Sequence, residues 1–176
     1  MDGFIAAVVK PGIGPIAAYP VVLKLLLQAA RRGRVRTTRM EAYHLGTQGL
    51  AAGADAVSAA LDVPLPQRLT GARRLAVATV LSDAREVWQR RLPGAEFHTL
   101  SLEDVSTASV TYTALDAVYA SGLLQGGADR RRWAHRSIEE FLCATGLQSL
   151  PRHSVKRLVL HPRATHRLKL TLPTNG

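Results

Sequence analysis

The sequence predicts an α/β fold: an α+β sandwich of the ferredoxin-like kind, with helices packed on a four-stranded antiparallel sheet and a basic C-terminal hairpin added to it. Three observations predict it. Short apolar runs closed by Pro or Gly alternate with stretches of helical periodicity, in the order strand, helix, strand, helix, strand, helix, with a later strand and helix. Residues 74–81, RLAVATVL, form an apolar-rich run of the length of a buried strand. SVKRLVL and THRLKLTL, separated by HPRA near the C-terminus, alternate as two strands of a hairpin do.

Taken in order, FIAAVVK (4–10) ends at Pro11 and Gly12 and reads as a strand buried on both faces. Residues 16–32 place Lys24, Gln28 and Arg31/Arg32 on one helical face, with leucines around the rest, and Gly33 stops the run. RVRTTRM (34–40) resembles a second strand. Residues 47–61 are alanine-rich and helical in propensity, and VPLPQ breaks them. After the expected strand at 74–81, Asp83-x-x-Glu86 fits a capping box for a helix carrying Val87, Trp88 and Leu92 as far as Pro93-Gly94. Residues 95–128 fit helix, loop or strand equally. Ser137-x-x-Glu140 fits a second capping box, so a helix is expected from Ser137 to about residue 146. The expected division is one α/β domain over 1–150 and a basic extension over 151–176.

Composition narrows the function classes. A chain of 176 residues that is 47% hydrophobic can bury a core. Its single cysteine, Cys143, cannot form an internal disulfide or a multi-cysteine zinc site, and reads as packing in a reducing compartment. MDGFIAAVVKPG lacks the basic start and long apolar core of a signal peptide, and no segment has the apolar length of a membrane span. A cytoplasmic protein with no membrane partner is the expectation, and a homo-oligomer is among the possibilities it leaves open. Of the net charge of +10, six units come from Pro151 to Gly176, which contains no acidic residue. Such a tail suits an acidic partner, nucleic acid or polyanionic metabolites. Only 5% of residues are aromatic, and along the chain they are not interleaved with the basic ones, as stacking platforms for single strands usually are.

The stretch RRRWAHRSIEEFL (130–142) sets His135 between an arginine cluster and an expected helix start. Unpaired N–H groups and the positive end of a helix dipole, beside Arg130, Arg131 and Arg132, suit a phosphate. The bland reading stands beside it, in which His135 is a loop residue next to a cap and the arginines are a solvated face. The other histidines show no metal-ligand spacing, and no Walker loop, Gly-x-Gly-x-x-Gly or Gly-x-Ser-x-Gly occurs.

Three fragments together resemble the nucleoside diphosphate kinases. RLAVATVLSDAREVWQRRLPG is similar to the family's buried strand leading into a helix that ends in an arginine four residues before a glycine, here Arg90 and Gly94. FIAAVVKPG is similar to its first strand, with Lys10-Pro11, and WAHRS to its His-Gly-Ser site, with His135 and Ser137. The likeness runs over residues 4–146. It implies a phosphotransferase acting on a nucleotide or phosphorylated metabolite, with His135 as nucleophile and Ser137 and Glu140 orienting it. Lys10 and Arg90 would hold phosphate oxygens, with Arg131 and Arg132 beside them, and Mg²⁺ would accompany the nucleotide. A non-catalytic, repurposed ligand-binding relative and a polyanion- or nucleic-acid-binding module using the tail are the alternatives. The chain departs from the family's pattern at Arg132, where the family has asparagine, at Arg136, where it has glycine, and at Glu96, where it has threonine. Ala114 and Leu115 stand near the place of a second phosphate-binding arginine, and Tyr43 and Arg68 lie only in the general region of the family's nucleotide cleft.

Overall fold

The structure, a computed structural model, describes residues 39–52, 62–90, 99–150 and 152. The expected first strand with Lys10, the helix at 16–32 and the C-terminal hairpin all lie outside the described residues.

Five helices and four strands make up the described part: α1 (Arg39–Ala52), α2 (Leu65–Ser82), β1 (Glu86–Trp88), β2 (Thr99–Ser101), α3 (Leu102–Val105), α4 (Tyr112–Tyr119), β3 (Leu124–Gly126), β4 (Arg130–Trp133) and α5 (Arg136–Gln148). The class is α+β with one four-stranded sheet, in the order β2-β1-β4-β3. The sheet is mixed and not antiparallel throughout: β1 pairs with β2 in parallel, while β4 runs antiparallel to both β1 and β3.

The largest correction falls on residues 74–92, where helix and strand exchange places. RLAVATVL is the second half of the 18-residue α2, not a strand. Pro66 in the first turn suits a helix start, where a missing N–H costs nothing. The buried positions Arg68, Ala72, Leu75, Ala76 and Thr79 recur at helical spacing, while Val80 faces solvent. An apolar run of this length does not by itself separate a buried strand from a buried helix, and here the flanking residues extend it past strand length. Asp83, expected to start a helix, instead ends one: it adopts the left-handed conformation (φ 55°) as the C-cap of α2, and Glu86 opens β1. Arg39 and Met40, expected in a strand, begin α1.

α2 is the central helix, packed by α1, α4 and α5. Leu75, Leu102, Leu115, Leu123, Ile138 and Leu142 are fully buried and draw the helices and the inner face of the sheet into one core. Arg68, which the kinase resemblance sets near a nucleotide cleft, is 7% exposed and serves the fold. Its guanidinium donates to the carbonyls of Ala51 and Ala52 at the end of α1 and to that of Val63, as cations do where helix carbonyls lack partners. Tyr43 is buried too, stacked on Phe141 at 5.3 Å.

α5 and α2 approach closely at Gly146, where an added Cβ would stand 2.9 Å from a methyl of Val77 and 3.0 Å from the Arg73 carbonyl. Gly126, at φ +142°, makes the other tight approach, at the β3–β4 hairpin.

Candidate functional site

Strand alternation sorts the site residues. Val87, Arg131, Trp133 and Leu124 share the inner face, which the pairing of β1, β4 and β3 sets in register. Trp133 donates its indole N–H to Thr79 Oγ1 at 3.0 Å, and that hydroxyl lies 2.8 Å from Glu139 Oε1, so β4, α2 and α5 meet in one polar network. Burial raises the Glu139 pKa, and the Thr79 hydroxyl pulls it back less than burial lifts it. Cys143, one turn further along α5, is buried and its thiol is also pushed up by burial, consistent with a packing role.

Of the residues expected to form a phosphate site, Lys10 lies outside the described residues, and the others fall on the segment after β1, on β4 and at the start of α5. His135 is the N-cap of α5: its Nδ1 accepts the backbone N–H of Ser137 at 3.1 Å and lies 2.7 Å from Ser137 Oγ. The helix therefore starts at Arg136, one residue earlier than the Ser137 box implies, and the imidazole does the capping. An Nδ1 that accepts a backbone N–H leaves the ring proton of the neutral imidazole on Nε2. Glu140 does not reach back to the cap; it pairs with Arg136 at 2.7 Å across the exposed face of α5. Arg90 stands elsewhere. Its neighbour Gln89 donates to the Asp129 carbonyl at 3.2 Å, ahead of β4, whereas His135 follows the far end of that strand. β4 and the bend at Ala134 lie between these two points in the chain. Arg131 is committed to the fold: it donates to the carbonyls of Tyr119 and Gly127 and lies over the Tyr119 ring at 5.0 Å. Arg132 is exposed on the opposite face.

No motif in the sequence marks the cavity. α2, the α3 region and the end of α5 enclose a pocket of about 610 Å³ whose lining is mainly apolar, with Val77, Leu81, Leu100, Val105, Val110 and Leu150. Arg73 and Arg74 stand in it. Arg74 Nε donates to the Val105 carbonyl at 3.0 Å, whereas Arg73 Nε is buried with no hydrogen-bond partner. The expected strand at 74–81 includes Arg74 but not Arg73; on the helix both belong to the pocket lining. Among the described residues no group of three or more His, Cys, Asp or Glu side chains is placed to hold a metal ion, and no helix is long and apolar enough to cross a membrane.

No family model, curated protein or solved structure matches the chain. The kinase likeness rests on the sequence fragments, and the fragment it reads as strand then helix is, in the structure, helix then strand.

Proposed function

We propose that this chain is a binding module, not a phosphotransferase, and that its ligand is a small molecule with an apolar body and one anionic group, a phosphate or carboxylate. The single observation that carries this reading is Arg73 at the wall of the α2–α3–α5 pocket. Its guanidinium and that of Arg74 belong to the lining of an otherwise mainly apolar pocket, where an anion would find charge-assisted donors. The apolar lining favours a ligand with a hydrocarbon or ring portion over a bare phosphate. Against catalysis at His135 stands the use of its Nδ1 in the α5 cap.

Dodecyl phosphate and decanoate should raise the melting temperature of the full chain, and dodecanol should do so less. Arg73→Met should weaken phosphate binding by about 1–3 kcal/mol, the range for one charge-assisted hydrogen bond. Equal shifts for wild type and Arg73→Met would defeat the pocket assignment. The phosphotransfer reading returns if labelled ATP leaves an acid-labile phosphoryl adduct on the wild type that is absent from His135→Asn.

A further inference from the structure

The outer face of the sheet carries a second set of residues that neither the core nor the pocket uses. Trp88 on β1 lies directly opposite Arg130 on β4, and the same register places Glu86 and Arg132 on that side. Arg130 Nη1 stands 3.7 Å from Glu86 Oε2, a long ion pair between side chains 66% and 39% exposed, which solvent screens. Arg130 and Arg132, two residues apart on one strand face, are about 7 Å from each other. Arg90, exposed, follows Trp88 by two residues.

Trp88 has no structural excuse for its indole nitrogen. The ring is half-buried, and its Nε1–H is buried without an acceptor, where phenylalanine would fill similar space with no unsatisfied donor. The inner-face tryptophan, Trp133, meets the ordinary requirement by bonding to Thr79. A partly exposed tryptophan opposite one exposed arginine, with a second two residues along the same strand, in a chain of net charge +10, has the chemistry of a stacking platform beside phosphate-binding cations.

We propose that the outer face formed by Trp88, Arg130 and Arg132 binds single-stranded nucleic acid, one base stacking on the indole and the arginines meeting the flanking phosphates. This site is separate from the α2–α3–α5 pocket and does not depend on what that pocket holds. Recognition is tolerant of sequence, because stacking and phosphate contact are available from every nucleotide.

The two tryptophans make the test direct. Oligo(dT) of about 12 nucleotides, a length within the usual site sizes, is titrated into the full chain while tryptophan emission is followed. Emission should be quenched in wild type and in Trp133→Phe, and the quench should vanish in Trp88→Phe. Arg130→Gln/Arg132→Gln, with folding checked by circular dichroism, should raise Kd about tenfold or more and flatten its dependence on salt. Trp88→Leu should also raise Kd about tenfold, within the range for one stacked base. Heparin, which has no bases, should compete without quenching. The proposal is overturned if the double arginine variant binds as tightly as wild type, which would assign binding to the cations from residue 152 onward, or if quenching persists in Trp88→Phe.

Discussion

The two faces of the β1–β4 pair hold the same residue types in opposite conditions. On the inner face, Trp133 donates to Thr79, and Arg131 donates to two carbonyls and lies over Tyr119. On the outer face, Trp88 has an unpartnered indole N–H, Arg130 has one long exposed ion pair, and Arg132 is exposed. Arg130, Arg131 and Arg132 are consecutive, yet only the middle one is structural. A cluster in sequence is therefore not a cluster in space when it lies on a strand: alternation sends the middle arginine to the fold and leaves its neighbours for solvent or a ligand.

Four changes would break or sharpen that contrast. The largest effect is expected for Trp133→Ala, which opens a cavity under β4 and removes the donor to Thr79, at about 3–5 kcal/mol in chemical denaturation. Trp88→Ala should cost clearly less, and parity between the two would erase the distinction. Next comes Arg131→Met, which leaves the Tyr119 carbonyl without its 2.6 Å donor and should cost about 1.5–3 kcal/mol, with Arg132→Met nearly silent. His135→Ala removes the α5 cap and should cost about 1 kcal/mol, while His135→Asn, a good N-cap, should restore most of it.

The smallest effect concerns Glu139 and depends on pH. Its folded pKa lies above the ordinary carboxylate value because burial disfavours the charge. Its contribution is therefore fully present below the ordinary carboxylate range and is lost as pH rises through the raised folded value. Glu139→Gln keeps an acceptor for Thr79 without the charge. Its melting temperature should match wild type in acid and exceed it increasingly toward neutral pH; a gap that shrinks with rising pH would show that the carboxylate is favoured in the fold.

The legible part of the fold was α5. Ser137, Ile138, Phe141 and Leu142 follow the arginine cluster with clear helical spacing, and the helix occupies Arg136–Gln148 against the expected 137–146. A polar residue just before an apolar stripe announces a helix start whichever side chain does the capping, so the box at Ser137 misassigned the cap without misplacing the helix. Residues 74–92 are locally ambiguous because Val77, Thr79 and Val80 favour strands, and the Pro66 start together with packing against α4 and α5 makes 74–82 helix. The capping box at Ser101 and Asp104, present in the structure, lay inside the undecided stretch 95–128. The sites were less legible still. Trp88 and Arg130 face each other through strand register, which no local pattern encodes, so aromatic and basic residues that are not interleaved along the chain are interleaved across the sheet. Arg73 joins the pocket only because α2 is a helix and because Gly146 lets α5 come close to it.

The Thr79 hydroxyl also bears on the order in which the chain assembles. Its partners Trp133 and Glu139 are 54 and 60 residues further along, so α2 is synthesised before either. Thr79 Oγ1 is 3.1 Å from the carbonyl of Ala76 in its own helix, a bond that needs nothing downstream. The nascent helix can thus hold this polar group within itself, then share it once the hairpin and α5 arrive. A chain halted before Trp133 would keep the helix's own polar bond while lacking the partners that share it in the complete fold.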